Sequence, residues 1–299
     1  EREYTVHRLW EAPDPAAYLR DKCANVRGVV TFSLHGCERS IVEALPKLEI
    51  IASFGAPRRN MDFEGAAARG IVITNTPDSI VENTADIGLG LVIAVMRRIC
   101  EGDRYVRAGK WIEAPFPPGR DLAGKRCGIV GLGKVGRAIA RRVEAVGMKV
   151  TYQGPNRKPD SSWPYQPDLL ALARESDCLV ISCGLTEATR GMIDAGVIGA
   201  MRPDAFLVNI GRGPLIDQQA LISALQQKKI AGAGMDVFWN EPEVPPELTR
   251  MENVVLTPHI GSTTLEIREE RGRKVLANLA AKFAGRPVPN PITKPHLLD

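Results

Sequence analysis

The sequence predicts an α/β fold made of two domains with parallel β-sheets, one domain inserted within the other. Three observations lead to this fold class. Short apolar runs of the β type alternate with helical patterns along most of the 299 residues, which is typical of parallel sheets. Three of these runs precede a glycine-rich turn that normally begins a domain of its own. A last helical pattern follows the final strand, so we expect the end of the chain to return to the first domain.

The predicted strands are continuous apolar runs, as expected for strands that are covered on both faces. They lie at residues 29–32, 50–52, 71–74, 128–130, 149–152, 178–182, 205–209, 233–237 and 254–256. Helical patterns lie at residues 134–145, 168–174, 217–227 and 264–283. Residues 84–108 are predicted to form one long helix that links the domains. The Pro-rich tail, 287–295, is predicted to be poorly ordered.

The composition is that of an ordinary globular protein, with 44% hydrophobic and 25% charged residues. The net charge of +4 comes without a run of basic residues, so no nucleic acid is expected as a partner. The longest apolar stretch, near residues 87–96, is too short to span a bilayer, and no membrane partner is expected. The six cysteines show no metal-ligand spacing. We therefore predict no metal site, and buried free thiols in a reducing cytoplasm.

A glycine fingerprint follows the strand at 128–130 and opens the helix at 134–145. Its residues are Gly131, Leu132, Gly133, Lys134, Val135 and Gly136. Such glycines allow a tight turn and the close approach of a pyrophosphate, and the helix N-terminus offers free N–H groups. In this context the motif predicts a Rossmann-like domain that binds a nicotinamide dinucleotide at these residues. A tight turn without a ligand is the alternative.

Residues 154–158, which follow the predicted strand at 149–152, bear on the choice between NADP and NAD. About 20 residues past the fingerprint, an acidic residue normally holds the ribose 2′-hydroxyl of NAD, but Gly154 stands there. Asn156, Arg157 and Lys158 follow. An acid would repel the 2′-phosphate of NADP, whereas an amide and two cations would bind it. The stretch therefore favours NADP (NADPH), and a solvated loop that tolerates both NADP and NAD is the alternative.

Three polar residues lie just past three predicted strands: Arg212, Glu241 and His259. Parallel α/β sheets bind ligands beyond the carboxyl ends of their strands, so the three side chains could converge on one cleft. Each residue alone would be interpreted as structural. Together, in a dinucleotide-binding fold, they suit hydride transfer to a keto acid. That reaction needs an electrostatic clamp for the substrate, a proton donor and a group that tunes the donor.

Four motifs together resemble the D-specific 2-hydroxyacid dehydrogenase family, and the resemblance covers nearly the whole chain. They are the glycine fingerprint, NIGRG at residues 209–213, GMDVFWNEP at 234–242 and TPHIGS at 257–262. The stretch YTVHRLWEA at residues 4–12 and the acid-free GPNRK at 154–158 resemble the glyoxylate/hydroxypyruvate reductase branch of that family. The activity implied is reduction of a small 2-keto acid to a D-2-hydroxy acid.

The resemblance implies residue roles. Arg212 would hold the carboxylate and keto oxygen of the substrate, and His259 would donate a proton to that oxygen. Glu241 would hydrogen-bond the other imidazole nitrogen and orient the ring. For the cofactor, Asp236 would accept from the nicotinamide carboxamide. The other implied cofactor contacts are Thr84, Ile210 and Gly261.

The family's arrangement also implies the domain assignment. Residues 1–84 and 265–299 would form the substrate-binding domain, and residues 85–264 would form the NAD(P)-binding domain. Relatives are usually homodimers joined through the region of the predicted long helix, so a homodimer is expected.

One loop departs from the family pattern. After the second strand, relatives have a Gly-rich loop whose backbone N–H groups receive the substrate carboxylate, but here Pro57 follows Gly55 and Ala56. Proline has no N–H, so one hydrogen bond would be missing if Pro57 stands at a donor position. Gly55, Ala56 and Arg58 are the expected substrate contacts, with Arg58 supplying a side-chain cation. Solvated arginines at 58 and 59 are the alternative.

Three other functions remain as alternatives. A phosphoglycerate dehydrogenase would be expected to have an acid where Gly154 stands. A formate dehydrogenase is less compatible with Glu241 before Pro242. A non-enzymatic dinucleotide sensor, such as the transcriptional corepressors of this fold, could retain the same motifs, but the sequence shows no additional interaction domain or basic arm.

Overall fold

A computed structural model describes residues 4–32, 35–55, 60–76 and 80–292. The chain divides into two compact units. The terminal unit combines Glu1–Ser79 with Leu265–Asp299, and the central unit is Ile80–Thr264. Thr84, placed by the sequence at the end of the first segment, belongs to the central unit.

The elements follow the alternating pattern expected from the sequence. In chain order the strands are β1 (Gly28–Phe32), β2 (Ile50–Phe54), β3 (Val72–Thr74), β4 (Arg126–Val130), β5 (Lys149–Gln153), β6 (Cys178–Ile181), β7 (Phe206–Asn209), β8 (Gly232–Met235) and β9 (Val254–Leu256). The α-helices are α1 (Pro15–Lys22), α2 (Arg39–Ala44), α3 (Phe63–Ala68), α4 (Val81–Met96), α5 (Ile99–Arg107), α6 (Lys134–Ala145), α7 (Leu169–Glu175), α8 (Ala195–Ala200), α9 (Gln218–Gln226), α10 (Pro246–Thr249) and α11 (Leu265–Phe283).

The terminal unit contains a parallel sheet with the strand order β1-β2-β3. Its middle strand is the most apolar, and Ile50, Ile51 and Ala52 are fully buried. Successive side chains of a strand point to opposite faces. Ile51 therefore packs in the cluster formed with α2 and α3, whereas Ile50 and Ala52 pack with Val275 and Leu279 of α11. The end of the chain thus covers one face of the first sheet.

The segment after α11 is attached to the terminal unit as far as Ile292. The Ile292 N–H donates to the Ile73 carbonyl at 2.9 Å, and the Asn75 N–H donates to the Asn290 carbonyl at 3.2 Å. The buried Asn278 side chain accepts from the Asn290 N–H at 3.0 Å. The prediction of a poorly ordered tail was therefore wrong up to Ile292, because residues between the prolines supply the donors and acceptors that proline lacks. The rest of the tail lies outside the described residues.

The central unit contains a parallel sheet with the order β5-β4-β6-β7-β8-β9. Strands β6, β7 and β8 are buried along their whole length, and separate apolar clusters cover the two faces of the sheet. The chain passes from β4 to β5 on one side and then to β6 on the other. The strand order therefore reverses at β4, and the crevice beyond the carboxyl ends of β4 and β6 is the usual ligand position in such sheets.

Residues 84–108 do not form the single helix that the sequence predicted, because α4 ends at Met96 and α5 begins at Ile99. Arg98 between them adopts a left-handed conformation, with φ 56°. The Met96 carbonyl, which a continuous helix would use internally, accepts from the Arg120 N–H at 2.8 Å. A Cβ atom at Gly119 would lie only 2.9 Å from the same oxygen. The helix is therefore interrupted by a loop that returns from later in the chain.

All six cysteines are free thiols, and three of them (Cys37, Cys127 and Cys178) are fully buried. Burial raises the pKa of Cys127 to about 12. Among the residues that the structure describes, no group of His, Cys, Asp and Glu could hold a metal ion. No helix within those same ranges is long and apolar enough to cross a membrane.

Candidate active site

The glycine fingerprint forms the turn between β4 and α6, on the reversal point of the central sheet. Gly131 has φ 95°, a conformation that favours glycine. A Cβ atom at Gly131 would also lie 2.7 Å from the Cα atom of Cys183, just past β6. At Gly136 a Cβ atom would overlap the carbonyl oxygen of Gly131. Both glycines are therefore required for the turn itself, with or without a ligand.

Gly133 has a different environment, which fits a bound dinucleotide. It precedes α6 as the N-cap residue and supplies no side-chain cap. The N–H groups of the first helical turn, which begins with Lys134 and Val135, are thus available to an anion. A Cβ atom at Gly133 would meet nothing within 4 Å. The space in front of the helix N-terminus is therefore open, as the approach of a pyrophosphate requires.

The loop after β5 brings the predicted phosphate-binding residues close to the fingerprint turn. The two segments are joined by a hydrogen bond from the Gly131 N–H to the Gln153 carbonyl at 2.8 Å. Asn156 and Arg157 are exposed, and Lys158 is half-buried. Within the described part of the chain, the Arg157 side chain forms no ion pair or hydrogen bond. Because residue 154 is a glycine, it has no acidic side chain that would repel a phosphate.

The three predicted catalytic residues follow adjacent strands. Arg212 comes after β7, Glu241 after β8 and His259 after β9, and these strands are hydrogen-bonded neighbours in the sheet. Because all three strands are parallel, their carboxyl ends meet at one edge. The topology thus brings the three residues to the same edge of the central unit.

His259 and Glu241 form a direct pair, with 2.7 Å between the imidazole Nδ1 and Glu241 Oε2. The other carboxylate oxygen, Oε1, accepts from the Phe238 N–H at 3.1 Å. An ionised carboxylate only accepts hydrogen bonds, so Nδ1 is assigned as the protonated nitrogen that donates to it. The pair fixes the orientation of the ring through Nδ1.

The turn that presents Arg212 is organised by a residue that the sequence analysis did not assign to the site. The side chain of Asn209, fully buried at the end of β7, accepts from the Gly211 N–H at 3.0 Å. Its amide nitrogen donates to the Arg212 carbonyl at 2.9 Å. The exposed Arg212 guanidinium donates to the Gly211 carbonyl at 2.7 Å. An asparagine at the end of a buried strand was the available signal, since it must find internal partners.

Asp236 is buried beside the His259 segment and accepts three hydrogen bonds from it. Asp236 Oδ1 accepts from the Thr257 hydroxyl at 2.7 Å and from the Ile260 N–H at 2.9 Å. Oδ2 accepts from the Gly261 N–H at 2.9 Å. These bonds show a supporting function for Asp236 that sequence reasoning, which considered only a nicotinamide contact, missed.

The other predicted cofactor contacts are packed near this segment. Thr84 in α4 lies next to Gly261, since a Cβ atom at Gly261 would be 3.3 Å from the Thr84 methyl group and 3.0 Å from Asp236 Oδ2. Ile210 is buried after β7, and its N–H donates to the Ile181 carbonyl at 3.1 Å. Thr84, Asp236 and Gly261 therefore form one compact group.

The predicted substrate loop lies in the terminal unit and is only partly described. Gly55 follows β2 with φ 97°, and its N–H donates to the Thr76 hydroxyl at 2.8 Å. This N–H is thus already used within the unit. Ala56 and Arg58, together with Pro57 and Arg59, lie outside the described residues.

Comparison with known proteins identifies the family of this chain. Residues 89–261 match the profile of the NAD binding domain of D-isomer specific 2-hydroxyacid dehydrogenase. Glyoxylate/hydroxypyruvate reductase A of Arabidopsis thaliana is 41% identical over 292 residues, which are 98% of this chain and 93% of that protein. The chain belongs to the D-isomer specific 2-hydroxyacid dehydrogenase family.

This dehydrogenase is also similar to a second reductase and to a solved structure. Hydroxyphenylpyruvate reductase of Plectranthus scutellarioides is also 41% identical over 292 residues, 98% of this chain and 93% of that protein. An NADPH-dependent glyoxylate/hydroxypyruvate reductase of Sinorhizobium meliloti was solved in complex with NADP and malonate. It superimposes with a TM-score of 0.77 at 36% identity, over 93% of this chain and 87% of that chain.

Family membership confirms three predictions: the fold class with its Rossmann-like domain, the resemblance to the glyoxylate reductase branch, and a nicotinamide dinucleotide as cofactor. The dehydrogenase is an enzyme, and its similar relatives are named reductases. The prediction of an oxidoreductase over a non-enzymatic sensor is therefore confirmed as well.

Proposed function

We propose that this dehydrogenase uses NADPH to reduce small 2-keto acids, with glyoxylate and hydroxypyruvate as its preferred substrates, to D-2-hydroxy acids. The observation that supports this most directly is the His259–Glu241 pair, 2.7 Å apart at Nδ1 and Oε2, on the sheet edge that also presents Arg212. The Arabidopsis thaliana relative is named for reduction of the same two acids.

In this proposal each residue of the sheet edge has one task. NADPH supplies, when bound, the hydride that adds to the keto carbon of the substrate. In the imidazolium form, which carries a proton on each nitrogen, His259 donates from Nε2 the proton that the keto oxygen needs as it becomes a hydroxyl, and Glu241 keeps the ring in place at Nδ1. The Arg212 guanidinium binds the carboxylate and the keto oxygen, whose negative charge grows during the transfer. Hydride and proton together convert the ketone to an alcohol.

The cofactor contacts proposed for NADPH follow from the geometry of the central unit. The helix N-terminus at Gly131, Gly133, Lys134, Val135 and Gly136 would hold the pyrophosphate. The loop with Asn156, Arg157 and Lys158 would hold the 2′-phosphate, supported by the absence of an acid and of an ion pair for Arg157 among the described residues. Ile210 and the group of Thr84, Asp236 and Gly261 would line the nicotinamide.

The terminal unit is proposed to supply the remaining substrate contacts through Ala56 and Arg58, whereas the Gly55 N–H, which donates to the Thr76 hydroxyl, would hold the start of the loop rather than the substrate. Residues 1–84 and 265–299 would then be the substrate-binding part and residues 85–264 the cofactor-binding part, with Thr84 grouped structurally with the latter. The proposed place of action is the cytoplasm, which suits the free thiols.

A second candidate substrate is a 2-keto acid with a large aromatic group. The observation that favours it is an exposed ring at the carboxyl end of β1. Phe32 is 56% exposed and contacts Phe54 at the end of β2, with 5.0 Å between ring centroids. Phe54 directly precedes Gly55, at the start of the predicted substrate loop. The Plectranthus scutellarioides relative is named for hydroxyphenylpyruvate reduction.

The test is the initial rate of reduction of glyoxylate, hydroxypyruvate, pyruvate, 2-ketoglutarate and hydroxyphenylpyruvate, each with NADPH and with NADH. We expect the highest kcat/KM for glyoxylate or hydroxypyruvate with NADPH. A preference for hydroxyphenylpyruvate would favour the second candidate. Turnover with NADH alone would contradict the cofactor assignment but not the reaction, and no turnover with any of the five would contradict the proposal.

We also propose that the protein is a homodimer joined through α5 and the short helical turn Lys110–Ile112. This segment exposes apolar side chains, with Ile112 94% exposed and Trp111 66% exposed. Such a patch favours burial against a second copy. The Ile112→Asp variant, measured by size-exclusion chromatography with light scattering, is expected to be monomeric where the wild type is dimeric. A monomeric wild type would refute the proposal.

A further inference from the structure

Two tyrosine hydroxyls hold the loop of residues 154–158, here called the phosphate loop. Tyr152, in β5, is buried with 1% of its surface exposed. Its hydroxyl oxygen accepts from the Lys158 N–H at 2.7 Å. The Tyr165 hydroxyl donates to the carbonyl oxygen of Gly154 at 3.0 Å. One hydroxyl therefore fixes the last residue of the phosphate loop and the other fixes the first.

The two tyrosines are themselves fixed to each other. The Tyr152 N–H donates to the Pro164 carbonyl at 3.0 Å, and the Gln166 N–H donates to the Tyr152 carbonyl at 2.8 Å. This pairing forms a parallel bridge between Tyr152 and Tyr165 along the outer side of β5. The rings are 5.3 Å apart between centroids. The hydroxyls thus project from a rigid edge of the sheet rather than from mobile side chains.

An ion pair attaches the following residues to the helix of the fingerprint. Arg137 in α6 donates to Asp160 Oδ1 at 2.7 Å. This hydrogen bond lowers the pKa of Asp160, and the charge of Lys158 acts in the same direction. The nearest acid after the phosphate loop is therefore already paired with a cation, and its charge is compensated. Arg157 lacks any such partner among the described residues.

A phosphate-binding loop is effective when its donors stand in place before the ligand arrives, because ordering a loop on binding weakens the affinity. Here the loop has no secondary structure of its own, and the exposed Asn156 and Arg157 lie between the two residues that the tyrosines hold. The two hydroxyl bonds thus hold the backbone on both sides of the cation.

We propose that Tyr152 and Tyr165 are positioning residues for NADPH selectivity: their hydroxyls pre-organise the phosphate loop so that Arg157 and Asn156 meet the 2′-phosphate. The inference rests on the proposed NADPH preference and deepens it. It assigns the selectivity to the loop and also to two tyrosines that act through the loop backbone.

Replacing each tyrosine with phenylalanine tests this, because phenylalanine keeps the ring packing and removes only the hydroxyl. Binding of 2′,5′-ADP and of 5′-AMP to the full chain is measured by isothermal titration calorimetry. The two probes differ by the 2′-phosphate alone. Tyr165→Phe and Tyr152→Phe should each weaken 2′,5′-ADP about fivefold, the effect of one hydrogen bond, and leave 5′-AMP unchanged. The same variants should raise the KM for NADPH and not that for NADH, with kcat at saturation retained.

A matched control is Tyr105→Phe, which removes a comparable hydroxyl bond, to the Ala114 carbonyl at 2.9 Å, elsewhere in the central unit. It should change neither probe. Equal weakening of both probes, or no change of either, would overturn the inference. If the wild type itself binds 2′,5′-ADP no more tightly than 5′-AMP, the proposed NADPH preference fails, and it does so before any variant is made. Should Tyr152→Phe not fold, Tyr165→Phe decides the question alone.

Discussion

His259 adopts a left-handed backbone conformation, with φ 52°, which is uncommon for a residue with a side chain. The surrounding hydrogen bonds explain how it persists. Asp236 accepts from Thr257 on one side of His259 and from Ile260 and Gly261 on the other. The Glu241 carboxylate holds the ring itself. Backbone and side chain of the candidate proton donor are thus fixed by two different acids.

Replacing Asp236 with asparagine should destabilise the protein and reduce turnover together. The amide group would turn a donor toward one of the three N–H or O–H groups that now donate to the carboxylate. The expected loss is about 3 kcal/mol of unfolding free energy, since bonds to a buried charged group are among the stronger ones. The measurement is urea unfolding, with Thr257→Val as a control that removes one of the three bonds and should cost about 1 kcal/mol. Equal stability of Asp236→Asn and wild type would contradict the supporting function.

Replacing His259 with asparagine tests the proton donor without disturbing the backbone, because asparagine tolerates the left-handed region. We expect kcat to fall about 10²- to 10⁴-fold, the usual contribution of a general acid. The dissociation constant for NADPH, measured by fluorescence titration, should stay within about twofold of the wild-type value, because the imidazole is proposed to contact the substrate and not the cofactor. An equal loss of turnover and of cofactor binding would instead indicate a structural role for His259.

The residues themselves were only partly predictable. Arg212, Glu241 and His259 could be proposed from the sequence because each follows an apolar strand, and parallel strands bring such positions to one edge. The supporting functions of Asn209, Asp236 and Tyr165 could not. They depend on hydrogen bonds to segments whose position only the folded chain defines.

At the scale of elements, the glycine fingerprint in the turn between β4 and α6 meets two requirements. One is the backbone geometry of the turn, and the other is open space for a ligand. Gly136 is needed because its Cα faces the Gly131 carbonyl, whereas Gly133 faces open space. Gly136 therefore serves the fold, whereas Gly133 is the glycine proposed to serve the ligand.

Alanine at these two positions should differ in its effect on the melting temperature. Gly133→Ala is expected to leave the melting temperature within about 2 °C, since a Cβ meets no protein atom, and to raise the KM for NADPH at least tenfold by obstructing the pyrophosphate. Gly136→Ala should lower the melting temperature as well, because the overlap with a backbone oxygen forces the turn to shift. Differential scanning fluorimetry and steady-state kinetics measure both. A Gly133→Ala enzyme with unchanged KM would mean that no dinucleotide approaches there.

The strands were predictable because buried parallel strands are continuous apolar runs, and the turn because its glycines lie between a strand and a helix. The break between α4 and α5 was not. It is set by the segment of Gly119 and Arg120: the Arg120 N–H donates to the Met96 carbonyl, and Gly119 has no Cβ to obstruct this close approach. Nothing between residues 84 and 108 indicates this.

For the molecule as a whole, the burial of thiols makes the unfolding free energy depend on pH in the alkaline range. The pKa of Cys127 rises from an ordinary 9.0 to about 12 through burial, so the native thiol stays neutral in a range where the unfolded one ionises. Its contribution is complete below pH 9 and decreases as the pH rises toward 12. One such group accounts for about 1.4 kcal/mol per pH unit in that window.

The unfolding free energy of the wild type should therefore fall between pH 8 and pH 10. The unfolding free energy of Cys127→Ala should fall by about 1 kcal/mol less over the same range. Urea unfolding at the two pH values measures both slopes, and comparing slopes rather than absolute values cancels the cavity that the variant creates. Identical slopes would show that Cys127 ionises in the native protein as readily as in the unfolded chain.

The discontinuity of the terminal unit has a consequence for synthesis. Strands β1 to β3 leave the ribosome before the central unit, but α11, which covers the apolar face of β2, begins only at Leu265. At roughly 5–20 residues per second, the delay is on the order of 10–40 s. The central unit is a single continuous segment and can close in that interval. The terminal unit thus begins to be translated before the central unit but is completed after it, and the nascent chain exposes Ile50 and Ala52 to chaperones until the closing helix emerges.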